Sequence, residues 1–283
     1  MPFTVACAQI APQKAEVQAN LDKIAECIMQ AAGEGADLVI LPEASTTGYF
    51  VEGGALESSL TGDELCAELA RRIKPTNRPV DAVVGFIEQH EGNLYNGAAF
   101  MEFGPKPRLV KTYRKFFLPT YGLFDEERFV SRGRDIAVFD TRFGKLAILI
   151  CEDVWHSILP TLCATRGAQM IIVPAASPGR GFASEHVENL DRYARLMKAI
   201  AEEHGVFCLN CQLCGFEGGK GFVGGSMVAD PFGKLIAQGP VNEEYILLTQ
   251  IDFDLIQIAR AQTPLISDLQ SAWGDIRRII DEE

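Results

Sequence analysis

Residues 146–150 are five consecutive apolar residues that run directly into Cys151. A run of this length is typical of a strand buried on both faces, because helices of globular proteins are longer. Glu152 and Asp153 follow, and acidic residues suit a helix start, where unpaired N–H groups favour negative charge. We expect this position to lower the pKa of the Cys151 thiol and to expose it to a cleft, as a nucleophile requires. The alternative is a cysteine that packs as a small apolar side chain at the strand end.

The whole chain reads as one large domain over residues 1–283. No linker rich in proline, glycine or serine divides it, and 47% of its residues are hydrophobic, which is ample for a core. The formal net charge is −12, so nucleic acids and anionic membrane surfaces are not expected as partners, because both attract clustered lysine and arginine. The apolar runs are shorter than the roughly 18 residues of a membrane span, and no basic segment precedes the apolar N-terminus. We expect a cytoplasmic protein whose cysteines are free thiols.

Strand and helix patterns alternate from the N-terminus. Residues 3–10 predict a strand, residues 20–32 an amphipathic helix and residues 37–41 a buried strand, an order typical of layered α/β folds. Residues 81–88 and 94–103 then predict an antiparallel hairpin. The fold class expected from these patterns is α/β, with two mixed sheets and helices outside them.

Glu43 and Lys115 also stand at expected strand ends. Glu43 follows the apolar run 37–41, and a buried carboxyl there suits a general base. The alternative is a loop carboxylate that accepts N–H bonds from Ser45 and Thr46. Lys115 is flanked by aromatic residues, where a buried ammonium needs a carboxylate or a developing anion beside it. The alternative is a surface lysine whose stem lies over phenylalanine.

Two further stretches contribute polar side chains to the expected cleft. Glu126, in an acidic stretch, can orient a neighbouring lysine or transfer a proton, or else belong to a solvated turn. The loop 174–182 follows another expected strand and contains Ser177 and Arg180. Arg180 suits bidentate binding of a substrate carboxylate, although most exposed loop arginines have no such role.

Two alternative sites use cysteine differently. Cys208, Cys211 and Cys214 have the spacing of a metal cluster, but alternate side chains of a strand point in opposite directions, so the three cannot converge on one ion. We therefore expect no metal. A Cys–His pair is the second alternative. Its candidate bases are His156, His186 and His204.

Glu43, Lys115 and Cys151 together provide the groups that amide hydrolysis by a thiol requires. A thiolate that attacks a carbonyl needs a base for the thiol proton, donors for the oxyanion and an acid for the departing amine. Glu43 can act as base and then as acid, and Lys115 with the backbone N–H of Glu152 can hold the oxyanion. Water then hydrolyses the thioester.

At these residues the sequence resembles the nitrilase, or carbon–nitrogen hydrolase, superfamily. The matching motifs follow one another in family order over nearly the whole chain, and three in order are a specific signal where one would be weak. The three are Leu41-Pro42-Glu43 with Gly48-Tyr49; Tyr113-Arg114-Lys115 with Leu118-Pro119; and Cys151-Glu152-Asp153. Two further matches are Glu126-x-Arg128-Phe129 and Phe222-x-Gly224-x-Ser226 with Asp230-Pro231-x-Gly233. The resemblance implies a four-layer α-β-β-α sandwich, a Glu-Lys-Cys triad supported by Glu126, and dimers or larger homo-oligomers.

The motifs around Tyr121 and Cys151 look most like the glutaminase domain of glutamine-dependent NAD synthetases. In that family the residues matching Tyr121, Glu152 and Ser177 contact the glutamine substrate. Arg180 departs from the family pattern, because it follows the Ser-Pro pair too soon. We also find no ATP-using synthetase domain in this sequence, so we expect the released ammonia to have no attached acceptor. No tryptophan follows the nucleophile as in many nitrilases, which argues against nitrile substrates.

The function expected from the sequence is hydrolysis of a small linear amide by a thiol enzyme that releases ammonia and needs no cofactor. An N-carbamoyl amide hydrolase and a glutaminase subunit that supplies a separate synthetase remain alternatives, as does a binding or assembly protein with an inactive site on the same fold. The expected partners are a small-molecule amide and further copies of the chain. Residues 252–283 carry apolar side chains with little left to pack against, which predicts contact with a partner subunit.

Overall fold

Two six-stranded sheets form the centre of the molecule. The computed structural model describes residues 1–50, 54–74, 78–179, 182–183 and 186–282, without the side chains at 182, 183 and 186. In chain order its strands and helices are β1 (Phe3–Gln9), α1 (Val17–Gly33), β2 (Leu38–Ile40), α2 (Gly62–Arg72), β3 (Val80–His90), β4 (Asn93–Phe103), β5 (Arg108–Arg114), β6 (Ala137–Thr141), β7 (Gly144–Ile148), α3 (Ile158–Thr165), β8 (Met170–Ala175), β9 (Phe182–Ala183), β10 (His186–Val187), α4 (Glu188–His204), β11 (Phe207–Gln212), β12 (Cys214–Glu217), β13 (Lys220–Val223), β14 (Met227–Ala229), β15 (Leu235–Gln238), β16 (Tyr245–Ile251), α5 (Asp254–Gln262) and α6 (Leu265–Asp281).

Each six-stranded sheet has a parallel centre and antiparallel edges. The first sheet has the order β16–β1–β2–β3–β4–β5, and β1, β2 and β3 are parallel. The second has the order β15–β14–β11–β8–β7–β6, and β7, β8 and β11 are parallel. Parallel neighbours end at the same edge of a sheet, so the loops that follow them share one edge, which is where α/β proteins bind ligands.

Apolar side chains on both faces of the sheets create four layers. Alternate residues of β1 point in opposite directions. Ala6 and Ala8 pack with α1 and α2, while Val5 and Cys7 belong to the core between the two sheets. The second sheet shares its core with α3 and α4. The four-layer α-β-β-α sandwich predicted from the sequence is confirmed.

Local sequence explains how the flanking helices begin, end and face the sheets. α1 turns an apolar stripe that includes Leu21 and Ile28 toward the first sheet. α2 begins at a capping box in which Thr61 and Glu64 accept each other's backbone N–H groups. α4 ends at Gly205, whose φ of 56° is accessible to glycine without strain. None of the helices in the described part of the chain is long and apolar enough to span a membrane.

The C-terminal segment consists of α5 and α6. Ile256 and Ile266 are buried, and α6 packs against α3 and α4, so this segment has partners within its own chain. Ile279 and Ile280, near the end of α6, are 60% and 63% exposed. Contact of residues 252–283 with a partner subunit stays a prediction.

Candidate active site

The carboxyl ends of three strands bring Glu43, Lys115 and Cys151 together. Glu43 lies shortly after β2, Lys115 directly follows β5, and Cys151 opens a 3₁₀ turn, Cys151–Trp155, after β7. All three are buried, with exposed fractions of 1%, 0% and 8%. The charges of Glu43 and Lys115 both act on the Cys151 thiol. The structure thus gathers the three side chains that the sequence singles out, and their catalytic roles stay predictions.

The Lys115 ammonium joins two carboxylates. Its Nζ donates to Glu43 Oε1 at 2.7 Å and to Glu126 Oε1 at 2.6 Å. Tyr49 donates its hydroxyl proton to the same Glu126 oxygen. Because Lys115 is fully buried and doubly paired, it is not a surface lysine with its stem over phenylalanine. Glu126 belongs to this cluster and not to a solvated turn.

Both oxygens of the Glu43 carboxylate are hydrogen-bonded. Oε1 accepts from Lys115 and from Asn96 Nδ2, the latter at 2.8 Å. Oε2 accepts from the backbone N–H of Ala176 at 2.8 Å. These partners come from other strands and loops, so Glu43 is held by long-range contacts and not by the N–H groups that follow it in sequence.

Burial and neighbouring charge act in opposite directions on this cluster. Burial alone lowers the pKa of Lys115, but the charges of Glu126 and Glu43 outweigh it and raise that pKa well above its ordinary range. Burial raises the pKa of Glu126 to about 7, although Lys115 acts to lower it. Lys115 is therefore charged at neutral pH, whereas Glu126 exchanges its proton near pH 7.

Replacing Glu126 by glutamine is expected to reduce the pH dependence of stability. The pKa of Glu126 is raised from 4.5 to about 7, so the folded protein holds this proton more tightly than the unfolded chain does. Its contribution to the unfolding free energy is complete below about pH 4.5 and is lost as the pH rises through about 7. Urea unfolding at several pH values should show a smaller fall across this window in Glu126→Gln than in the parent. Glu127→Gln, at the exposed neighbouring residue, is the control. An equal fall in unfolding free energy in the parent and both variants would contradict the raised pKa of Glu126.

Cys151 combines an unusual backbone conformation with a protonated thiol. Its φ of 47° lies in the left-handed region, which costs a non-glycine residue about 1–2 kcal/mol. The sulfur lies 3.2 Å from the Tyr193 hydroxyl. Burial, and then the charge of Glu43, raise the thiol pKa well above its ordinary range, against the opposing effects of Lys115 and Tyr193. The thiol therefore needs a base in order to react at neutral pH.

The lowered Cys151 pKa expected from the sequence is wrong. The acidic residues after Cys151 favour a helix start there, but the structure has a five-residue 3₁₀ turn, and α3 begins only at Ile158. A single short turn has a small dipole, and the loss of hydration on burial outweighs it.

Asp153 connects the turn at Cys151 to the segment that carries Lys115. Its carboxylate accepts four hydrogen bonds of 2.8–3.1 Å, two at each oxygen. The donors are the Tyr113 hydroxyl and the backbone N–H groups of Ile150, Phe116 and Phe117. The side chain is fully buried, and burial raises its pKa to about 6 despite these bonds. Asp153 thus fixes the position of the nucleophile candidate relative to the lysine.

Asp153→Asn is expected to lower the unfolding free energy by about 2–4 kcal/mol, because an amide group presents its own N–H donors to two of the four donors and leaves them unpaired. Chemical denaturation measures the loss. Asp140→Asn is the control, since Asp140 is exposed on β6 and should change stability by less than about 0.5 kcal/mol. A similarly small loss for Asp153→Asn would show that the carboxylate does not join the two segments.

A cavity of about 200 Å³ opens beside Cys151. Tyr121, Glu152 and Ser177 line it, and the Tyr121 hydroxyl donates to Glu152 Oε2 at 2.8 Å. The three residues predicted to bind substrate therefore lie at one cavity with the nucleophile candidate, and their binding roles stay predictions. Arg180, proposed from the sequence as a carboxylate clamp, lies outside the described residues.

The sequence pattern assigns no role to Asn96 or Tyr193, although both reach this cluster. Tyr193 lies on the buried face of α4 with Met197 and Ile200, and this helical spacing is the signal that marks its direction. Asn96 is a buried polar residue within β4, next to a run of buried residues, which is the type of position where a polar side chain must have a partner. Neither signal identifies the partner.

The metal-cluster alternative finds no support in the structure. Cys208 and Cys211 are core residues of β11, whereas Cys214 begins β12 in a separate two-stranded sheet. Within the described ranges, no group of three histidine, cysteine, aspartate or glutamate residues could hold a metal ion.

The Cys–His alternative is not supported either. No histidine lines the cavity at Cys151 in the part of the chain that the structure describes. His156 stacks on Phe117 with 3.7 Å between ring centres, and His204 Nε2 lies 3.3 Å from Thr161 Oγ1. The side chain of His186 lies outside the described residues.

Two curated proteins show how this chain compares in sequence. The glutamine-dependent NAD(+) synthetase of Thermotoga maritima is 31% identical over 254 residues, which cover 88% of this chain and 42% of that protein. The protein of the same name from Aquifex aeolicus is 30% identical over 265 residues, which cover 93% of this chain and 44% of that protein. The chain therefore spans less than half the length of these two relatives.

Solved structures share the fold over nearly the whole chain. The glutamine-dependent NAD+ synthetase from Acinetobacter baumannii has a TM-score of 0.79 at 27% identity, covering 90% of this chain and 47% of that chain. An amidase from Nesterenkonia sp. has a TM-score of 0.71 at 25% identity, covering 96% of both. Saccharomyces cerevisiae Nit3, of the nitrilase superfamily, has the same fold, with a TM-score of 0.76 at 24% identity over 93% of this chain and 95% of that chain.

The family model for carbon-nitrogen hydrolases matches residues 4–261. The chain therefore belongs to the carbon–nitrogen hydrolase family.

Proposed function

We propose that this chain hydrolyses a small primary amide to a carboxylate and ammonia through a thioester at Cys151. One observation carries the proposal: a thiol that lines a cavity lies within the electrostatic reach of the buried Glu43–Lys115 pair. Membership of the family supports it, because family members act on carbon–nitrogen bonds. The buried thiol has a raised pKa, which makes an adjacent base necessary.

The carboxylate of Glu43 acts as the proton carrier in each half of the reaction. It accepts the thiol proton as the sulfur attacks the amide carbon, and the carbonyl oxygen becomes an oxyanion. Lys115 and the backbone N–H of Glu152 hold that charge, and each well-placed donor lowers the barrier by roughly 3 kcal/mol. Glu43 then transfers the proton to nitrogen as the C–N bond breaks, and ammonia leaves.

Water completes the cycle by attack on the thioester. Glu43 takes a proton from the water molecule as the water oxygen attacks the thioester carbon. The proton returns to the Cys151 sulfur when the C–S bond breaks. Glu126 does not touch the substrate in this scheme. It holds Lys115 by a direct ion pair and so keeps the ammonium charged and directed toward the cluster.

Charged side chains around the cavity favour a zwitterionic amide such as glutamine as substrate. Glu152, Glu188 and Arg192 all line the cavity, so carboxylates are available for an α-ammonium and a guanidinium for an α-carboxylate. Arg192 lies 3.3 Å from Glu188 in an exposed pair, which a substrate carboxylate can displace. The names of the relatives, glutamine-dependent NAD(+) synthetases, point to the same compound. Neutral linear amides are the second candidate, favoured by the likeness to the Nesterenkonia amidase.

Ammonia release from four compounds tests both the proposed amide hydrolysis and the proposed preference for a zwitterionic amide. We expect glutamine to have the highest kcat/KM, propionamide and an N-carbamoyl amino acid to follow, and propionitrile to release none. Glu152→Gln should raise KM for glutamine about 10- to 100-fold, since a hydrogen bond to a charged group contributes about 1.5–3 kcal/mol. The KM for propionamide should change little, and Glu127→Gln should change neither. Equal turnover of glutamine and propionamide would exclude zwitterion recognition, and absence of ammonia from every amide would overturn the proposed function.

A further inference from the structure

A second cavity, of about 290 Å³, borders the same buried cluster. Asn96 and Glu126 line it, but Cys151 is not among its described lining residues, and Phe124 lines both cavities. Its wall is mostly apolar and includes Phe50, Ala55, Ile87, Phe129 and Val130. An apolar cavity with a few convergent polar atoms is the usual form of a small-molecule site.

Asn96 and the ionised form of Glu126 each present an acceptor with no partner in the described chain. Asn96 Oδ1 and Glu126 Oε2 are both buried without a hydrogen bond. The orientation of the Asn96 amide is determined, because its Nδ2 donates to the Glu43 carboxylate. The other Glu126 oxygen is occupied by Lys115 and Tyr49. Buried unpaired acceptors are unfavourable, so a ligand that donates hydrogen bonds has a place here.

The cluster beside this cavity also has one more carboxylate than it has cations. Two carboxylates, Glu43 and Glu126, meet one ammonium, Lys115, so the charge is −1 when both carboxyls are ionised. Asp125 and Arg128, two exposed lining residues, lie 3.9 Å apart, so their opposite charges offset each other. A buried net charge is unfavourable unless a counterion is near, and a monovalent cation would supply one.

We propose that the second cavity binds a small organic ammonium ion, a primary amine with an aryl or alkyl group. Its nitrogen has three N–H donors and would donate to Asn96 Oδ1 and Glu126 Oε2, while its hydrocarbon part would pack on the apolar wall. A cavity of about 150 Å³ admits benzene, so this larger one has room for a benzyl group and its ammonium. The site goes beyond the proposed hydrolysis, because this ligand is not the amide and is not transformed.

Calorimetric titration of the wild-type protein with benzylammonium chloride tests the site. We expect one ion per chain with a Kd on the order of 10⁻⁴ M, a value reasonable for a ligand of this size. Benzyl alcohol has nearly the same shape without the charge, and we expect it to bind at least tenfold more weakly. Because calorimetry reads binding and not turnover, a protein that binds the ion but releases no ammonia would contradict only the proposed function.

Two variants with larger side chains in the second cavity test whether the ion binds there. Ala55→Leu and Ile87→Phe enlarge buried wall residues that do not belong to the Glu43–Lys115–Glu126 cluster. Each should weaken benzylammonium binding at least tenfold and leave ammonia release within twofold of the parent. Thermal unfolding of each variant shows that it is folded, and one folded variant suffices. Undiminished binding in the folded variants, equal binding of benzyl alcohol, or competition of benzylammonium with the amide would each overturn the proposal.

Discussion

Replacing Cys151 by alanine is expected to abolish ammonia release and to leave the fold intact. No thioester can form without the sulfur, and loss of the nucleophile in a serine protease lowers kcat on the order of 10⁶-fold. Alanine occupies less space and adopts the same left-handed backbone as cysteine, so the core between the sheets should change little. Ammonia release measures the activity, and mass spectrometry with a slowly hydrolysed amide should detect an acyl adduct on the parent but not on the variant.

A matched substitution separates the chemistry from a general effect of losing a thiol. Cys66 is buried on α2, in the core outside the first sheet, and Cys66→Ala should retain activity within about twofold. Retained turnover in Cys151→Ala would remove this residue from the mechanism. An acyl adduct on a different cysteine of the parent protein would also remove Cys151 from the mechanism.

Lys115→Met is expected to destabilise the protein as well as inactivate it. Methionine has a similar length but no charge, so the oxygens of Glu43 and Glu126 that now accept from Nζ would lose their cation. Removing one partner of a buried ion pair typically costs about 3–5 kcal/mol. Loss of one oxyanion donor lowers kcat about 10²- to 10³-fold in addition. Chemical denaturation and kcat/KM for ammonia release measure the two effects.

The pH dependence of this loss identifies its cause. Without Lys115, the pKa of Glu126 should rise above the value of about 7 that it has beside the lysine. An acid whose pKa is raised on folding loses its stabilising contribution as the pH increases through that pKa. The deficit of Lys115→Met relative to the parent should therefore be larger at pH 8 than at pH 5. Lys111→Met, on β5 and partly exposed, should show almost no deficit at either pH, and a pH-independent deficit at Lys115 would point to packing instead of charge.

Local sequence pattern determines much of the layered fold. Two-residue alternation marks β1, an apolar stripe marks α1, and continuous apolar runs mark β2 and β7, because burial imposes the period of each element on its own sequence. The same reasoning places Glu43, Lys115 and Cys151 after strand ends. Since parallel strands end at one edge, strand-end positions are also where a shared site is expected.

The sequence by itself therefore determined the four-layer sandwich, the family and the three candidate catalytic residues. Only the tertiary structure decided that one ammonium joins Glu43 to Glu126, that Tyr193 meets the Cys151 sulfur and that Asp153 connects two segments. It also reversed the expected direction of the thiol pKa, because a 3₁₀ turn replaces the helix start and burial removes water from the sulfur. Hydrogen bonds between residues far apart in the chain, and the loss of hydration, depend on all the surrounding groups at once, and no short stretch of sequence contains that information.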